Sequence, residues 1–587
     1  MKSTIRATKD QMVDAIGNEP GLDFEGVESG INWGLPAWTD AMYPRKSGED
    51  HLSLASVSHR RVLPVLSPGI NVLTIHPRYW SIYTWLLTEF WERQLPRTNA
   101  AWGRFLRPRE RIFVASVLSC PRHGVDIRDV AGKRQVGREI SMAFPEFDPK
   151  ASYLTNPRGG YPVYASAMAQ LEFSALDSEI RQAACDAPTP FGRSVGLALR
   201  KWVEPTSYYR TYFDDPDQAV PADVVAEYSE RICLCRATEG PDYPYLLEAF
   251  LHQGQDDEPD RRRASLRLIC DLAAQTASEP VDSWNFRQFV YYRRDLDGRT
   301  YIPSRPELIE TARRWRIYQH RELVAWACNR WLRFISRWGL SADGDRAPIP
   351  LLDVLTSVDE MDFGQLASEL GLADPHIDGA TALSDFFDWV RTEGADDDDL
   401  DAEWDIDALA SEEHLLDVVW DVDRSDSIAS AAIFTLLVAA ACRMIKLEHQ
   451  MRYAHDWHLV RAGGRRRLAV DRLLENFRHH LATNATVSES ASWFLEHYVI
   501  RQHHRTAMTK LPDDTFRLRM DVERVSFIDE PVGVEFNDSR FRALSTCAAE
   551  LGLVKPLDEP GHSLTRMGAT FLKAGDLPRP SLDVASP

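Results

Sequence analysis

The sequence predicts a mainly α, multidomain protein with a small α+β module at its C-terminus. Three observations carry that expectation. Apolar residues recur at helical spacing through most long segments. The 587 residues are more than one hydrophobic core organises. A stretch with the pattern of a β-hairpin, "DTFRLRMDVERVSFID", occurs close to the C-terminus, followed by one more helical run. Composition shifts divide the chain into five expected segments: an aromatic-rich helical domain (1–150), a central helical domain (151–340), an acidic linker and helical segment (341–425), a helical core domain (426–510), and a β-hairpin with a final small domain (511–587).

The first block, "LSPGINVLTIHPRYWSIYTWLLTEFWERQL", turns at Pro68-Gly69 and then sets Tyr79, Tyr83, Leu86, Leu87, Phe90 and Trp91 at helical spacing. This predicts a core helix with Arg78 at its rim. The next, "YLTNPRGGYPVYASAMAQLEF", predicts a tight loop at Asn156-Pro157 and Gly159-Gly160 before a helix near Tyr164. A Gly-Gly loop feeding a helix N-terminus can cradle an anion, although the lysine of a phosphate loop and the glycines of a dinucleotide loop are missing.

Residues 178–338 read as helices broken at Pro188, Pro190, Pro205, Pro221 and Pro259. Within "RRWRIYQHRELVAWACNRWLRFISRW", Leu323, Ala327, Trp331, Phe334 and Trp338 line one helical face. Arg330, Arg333 and Arg337 form an adjacent stripe near Trp326. Arginines beside tryptophan can bind phosphate and stack on bases; in an acidic protein they can equally pair with internal carboxylates.

"GLSADGDRAPIP" reads as a linker, and residues 393–423 as a solvated acidic stretch, because consecutive aspartates lack the spacing of a calcium loop. "SIASAAIFTLLVAAAC", residues 427–442, is shorter than a bilayer span and predicts a buried core helix with no membrane partner. In "RMIKLEHQMRYAHDWH", a continuous helix would put Glu448, Arg452 and His455 on one face and His458 on its apolar side. Glu448, His455 and His458 are therefore the candidates for acid–base or metal chemistry, with His479, His480, His503 or His504 as further ligands. Helix ion pairs explain the same pattern.

Other chemistries lack their signatures. No phosphate-loop, dinucleotide, kinase, hydrolase-elbow, zinc-protease or deaminase pattern occurs. No cofactor and no metal ligand set is predicted. The eight cysteines include no CxxC; only Cys233 and Cys235 lie close, as Cys-Leu-Cys, which alone is a poor arrangement for a shared metal. Cysteines within apolar helical runs, and an N-terminus with no continuous apolar stretch, predict a cytoplasmic protein. The net charge of −20 excludes a whole-surface nucleic-acid binder, leaving only a local basic patch.

The C-terminal run "RFRALSTCAAELGLVKPLDEPGHSLTRMGATFLKAG" predicts a helix capped by Asp538 or Ser539, with Phe541, Leu544, Ala548 and Leu551 on its apolar face and Gly552 ending it. "LVKPL" follows as a short strand, "DEPG" as a turn, and "HSLTRMGATFLKAG" as a return strand entering a last helix. A helix ending in "ELGLV", a polar loop and then "LTRMGATFL" resembles the winged-helix family over about 40 residues. The resemblance implies a winged-helix-like module. Ser539, Arg540, Arg542 and Ser545 would lie on its recognition helix, with His562 and Arg566 on its wing. The hairpin just upstream stands where that family places its first helices. Winged helices also dock proteins, so both ligand classes stay open.

The blocks "LSPGINVLTIHPRYWSIYTWLL" and "YLTNPRGGYPVYASAM", with the helical body and this tail, are also similar to helical proteins of bacterial anti-phage defence islands. That resemblance implies a non-catalytic subunit of a nucleic-acid-directed complex, binding DNA, RNA or a partner protein such as a helicase, nuclease or ATPase. The alternatives are a nuclease-like hydrolase with a fold-assembled site, and a purely protein-binding scaffold.

Overall fold

The computed structural model describes residues 50–582, apart from the internal segments 155–158, 176–184, 277–278, 296–298, 343–346, 374, 392–411, 422–424, 452–455, 463–468, 512–513, 532–535 and 537–538. The Asn156-Pro157 turn, most of the acidic stretch, and His455 lie outside the described residues. The described residues are 63% helical and the chain is mainly α, as its periodicity predicts. It divides into two compact units, one drawn from Met1–Val62 and Ile317–Asn537, the other from Leu63–Arg316 and Asp538–Pro587. The sequence expectation put residues 511–587 in one module. Here the hairpin belongs to the first unit and the tail to the second.

The second unit is built on helices α1 (Arg78–Glu92), α2 (Asn99–Leu118), α3 (Tyr161–Gln170), α4 (Pro190–Val203), α5 (Ala222–Ile232) and α6 (Glu258–Gln275). Every residue of α1 from Arg78 to Phe90 is buried, so this helix is enclosed on all sides and lies inside its unit. Leu86, Leu87 and Phe90 are each at most 1% exposed, and burying such a side chain contributes about 2 kcal/mol. Arg78 is not at a rim. It is fully buried, with Nη1 donating to the Cys233 carbonyl at 2.9 Å and Nη2 facing Asp242 Oδ1 at 3.4 Å.

The Gly-Gly loop does feed a helix N-terminus that holds an anion, and the anion is the protein's own Glu110. The backbone N–H of Tyr161, first residue of α3, donates to Glu110 Oε1 at 3.1 Å. Tyr83 donates at 2.6 Å, Arg107 at 2.8 Å, and the Tyr153 hydroxyl also donates. Gly160 has φ 73°, and a Cβ there would overlap the Glu110 carboxylate. Only glycine serves on both counts.

The division between units falls inside the long helix α7 (Pro306–Ala342). In the first unit Leu323, Ala327, Trp331 and Phe334 are buried along α7, the face the spacing predicted. A three-stranded antiparallel sheet is formed by β1 (Ile349–Pro350), β2 (Leu518–Asp521) and β3 (Arg524–Phe527), with β3 central. The predicted hairpin pairs Leu518 with Phe527 and Asp521 with Arg524. Between β1 and β2 run α8 (Asp426–Met451) and α9 (Val470–Ala482). Among the described residues α8 is the one helix long and apolar enough to cross a membrane, and 83% of its apolar window is buried within the protein, as in a core helix.

The chain then returns to the second unit with α10 (Phe541–Glu550) and α11 (Arg566–Ala574). The strands expected between them reduce to one antiparallel bridge, Val554 with Leu564, and a Lys555 N–H donating to the Ser563 carbonyl at 2.9 Å. Thr565 caps α11, its hydroxyl accepting from the Gly568 N–H at 2.9 Å. Gly568 is where α11 meets the Leu553 carbonyl, and a Cβ would collide with that oxygen. The Leu-Thr-x-x-Gly signature is thus an N-cap followed by a close approach.

Candidate functional site

The C-terminal module is built into its unit. Tyr243 Oη donates to the Leu551 carbonyl at 2.8 Å, Arg267 Nη2 to the Leu572 carbonyl at 2.9 Å, and the Val281 N–H to the Leu557 carbonyl at 2.8 Å. Phe541 stacks on Phe286 with ring centres 5.0 Å apart. No residue of α10 is fully exposed. Arg542, Ser545, Thr546, Ala549 and Glu550 are half-exposed along it.

The arginines expected to touch nucleic acid are mostly engaged inside the protein. Arg540 is the N-cap of α10, in the left-handed region with φ 58°. Its buried Nη1 donates to the carbonyls of Leu63 at 3.2 Å, Ser67 at 3.1 Å and Ile70 at 2.7 Å, closing the end of the helical turn Leu63–Leu66. A cation there meets the negative end of that turn. Arg542 pairs with Asp129, and the Ser545 hydroxyl donates to the Arg542 carbonyl at 3.1 Å. His562 is buried, its Nε2 3.1 Å from Thr276 Oγ1, and Ser539 is fully buried. Arg566 alone of this group is exposed.

The α7 stripe takes the internal-pairing alternative. Arg330 is buried, 5.2 Å from the centre of the Trp326 ring and 4.9 Å from that of Trp420. Arg333 Nε donates to Glu530 Oε1 at 2.5 Å, and Arg337 Nε to Asp426 Oδ1 at 3.0 Å. Of the acid–base candidates, Glu448 lies on α8 (Asp426–Met451) and His458 is exposed on the short helix Trp457–Val460, while His455 lies outside the described residues. Glu448 accepts from Arg478 Nη2 at 2.5 Å, an ordinary interhelical ion pair. Two cavities in this unit, of about 10 and 20 Å³, are each sized for a water molecule.

The cluster that sequence reasoning passed over lies in the second unit. Cys120 and His123 follow the C-terminal end of α2; Cys233 caps the C-terminus of α5, and Cys235 stands in the 3₁₀ turn Leu234–Glu239. Their ligand atoms all lie within 4.8 Å of one another. Cys120 Sγ is 3.7 Å from Cys235 Sγ, Cys233 Sγ is 3.5 Å from Cys235 Sγ, and His123 Nε2 is 2.9 Å from Cys233 Sγ. The backbone is extended at Cys233 (ψ 144°) and then coils into the 3₁₀ turn, which brings both sulfurs to one side.

Hydrogen bonding with Cys233, and with His123 and Cys120, holds the Cys235 pKa well below the ordinary value against the effect of burial. The same contact with Cys235, together with burial, pushes Cys233 up. His123 is raised by hydrogen bonding to the Cys235 sulfur.

Comparison with protein-family models, curated proteins and solved structures finds no match for this chain. Its function has to be argued from its own geometry.

The signal for the cluster was present but divided. Cys-x-x-His and Cys-x-Cys are short-range pairs of metal-ligand residues, about 110 residues apart in sequence. Neither pair reads as a site alone.

Proposed function

We propose that the chain is a non-catalytic, cytoplasmic subunit of a bacterial nucleic-acid-directed complex of the anti-phage defence kind, and that it docks a partner protein through the outer face of its C-terminal module. The observation that favours protein over nucleic acid is Arg540. The residue best placed by the winged-helix resemblance to touch a phosphate is directed inward onto three backbone carbonyls. The charged residues that the module exposes are Lys555, Asp558, Glu559, Arg566, Lys573 and Arg579, a mixture of both charges. That suits the polar rim of a protein interface better than a phosphate backbone, which rewards uniform positive charge. The free state of all eight cysteines supports a reducing compartment.

The test is affinity capture from the native cell followed by mass spectrometry, with an Arg566→Glu/Lys573→Glu variant as control. The reading expects a specific helicase, nuclease or ATPase to co-purify with the wild type and to be lost from the variant. Retention on DNA or RNA that falls steeply with salt and needs Arg566 and Lys573 would put a nucleic acid at this face instead. A partner that binds both forms equally would remove the module from the interaction.

A further inference from the structure

We propose that Cys120, His123, Cys233 and Cys235 form a structural zinc site that fastens the end of α2 to the end of α5. The inference stands apart from the docking role above, and either can fail alone.

The donor set is three thiol sulfurs and one imidazole, the Cys₃His combination found in closed tetrahedral zinc sites. Four ligands around zinc at thiolate distances of about 2.3 Å are separated along the tetrahedron's edges by about 3.8 Å. The two sulfur–sulfur distances of 3.7 and 3.5 Å match that edge. They are contacts between free thiols, and three cysteines with one histidine do not pair off as disulfides.

The outer groups orient the ligands as a metal site requires. His123 Nδ1 lies 2.9 Å from the Gly124 carbonyl, which accepts its proton and leaves the Nε2 lone pair facing Cys233. The loop carrying Cys120 is closed by the Gly124 N–H donating to the Cys120 carbonyl at 2.7 Å. Arg78, buried and hydrogen-bonded to the Cys233 carbonyl, fixes that backbone.

The helix ends supply an independent argument. Cys120 and Cys233 both sit at helix C-termini, where the carbonyls carry partial negative charge. Thiolates gathered there repel that charge; a divalent cation reverses the sign of the interaction. Zinc fits these soft and borderline donors better than calcium or magnesium, which take oxygen. With all four positions filled by the chain, no open site is left for a substrate, so the role is structural. Cys120 and Cys233 are buried while His123 and Cys235 are half-exposed, which gives the ion a route in.

The full-length chain carries the experiment. Purified under reducing conditions, it should contain one zinc per chain by elemental analysis. After removal of the metal, cobalt(II) should produce the visible bands of tetrahedral cobalt and a thiolate-to-metal charge-transfer band. Cys120→Ser and Cys235→Ser should lose the stoichiometric metal, whereas His123→Cys, a Cys₄ set, and Cys270→Ser, a cysteine outside the cluster, should keep it. Wild-type protein covers the case in which the serine variants fail to fold: Cys120, Cys233 and Cys235 should be protected from alkylation until a chelator is added. Stoichiometric metal in the Cys120→Ser/Cys235→Ser double variant would overturn the site. So would the absence of a charge-transfer band, or alkylation of these three cysteines at the same rate with and without chelator.

Discussion

His76 and Glu550 form a buried ion pair, Nδ1 to Oε1 at 2.6 Å, joining the segment ahead of α1 to the last residue of α10. The other ring nitrogen, Nε2, lies 3.0 Å from the Arg128 carbonyl. Both partners are acceptors, so both nitrogens must donate and His76 is an imidazolium. Burial works against that charge, and the Glu550 carboxylate outweighs it, holding the pKa above the ordinary 6.5.

A folded-state pKa above the unfolded value means that the native form binds the proton more tightly. The contribution of His76 is therefore complete below 6.5 and is lost as pH rises through its raised value. Denaturant unfolding of the second unit should weaken there by up to about 1.4 kcal/mol per pH unit. Glu550→Gln should abolish this pH dependence and cost about 3 kcal/mol at pH 6. A slope unchanged in Glu550→Gln would contradict the assignment.

His503, in the first unit, predicts the opposite sign. Its Nδ1 faces the His51 carbonyl at 3.2 Å, and its Nε2 accepts from the Arg517 N–H at 2.9 Å, so the ring is neutral. Burial, aided by His51, lowers its pKa to about 3. Stability from this residue is complete above 6.5 and falls as pH drops from there towards about 3. NMR should show the His503 ring neutral at pH 5, and His503→Gln should flatten the acid limb of the first unit's stability curve.

Arg540→Ala should destabilise the second unit by about 2–3 kcal/mol, since it leaves the Leu63, Ser67 and Ile70 carbonyls without their charged donor. Thermal unfolding measures this directly. Affinity for DNA of the folded variant should equal that of the wild type, and a selective loss of DNA binding would restore Arg540 to a recognition role.

Gly160→Ala should cost about 2–3 kcal/mol, because the new methyl group displaces the Glu110 carboxylate from the donors around it. Tyrosine fluorescence and thermal unfolding would register the change. A neutral substitution would mean that the loop carries no constraint.

Helix α7, the hairpin β2–β3 and the apolar helix α8 were all legible, because each is decided by residues close in sequence. The partners of the α7 arginines were not. Arg333 meets Glu530 and Arg337 meets Asp426, and the spacing on a helix names a stripe without naming what faces it. The grouping of Glu448, His455 and His458 depends on residues 452–455, which lie outside the described residues. The Cys-Leu-Cys pair was passed over because two ligands do not make a site, and Cys120 and His123, which complete the set, lie about 110 residues away in sequence. In the tail, helix, cap and glycine were readable from "LTRMG", but the inward direction of Arg540 depends on a turn more than 470 residues earlier.

That long separation bears on how the protein is made. Residues 63–316 leave the ribosome well before α10 and α11 exist, and until then His76, Ser67 and Tyr243 lack the groups they bond. The nascent domain stays unsealed until α10 and α11 have been made. A message cut short before them would yield a chain with that seam open, a ready substrate for chaperones and proteases.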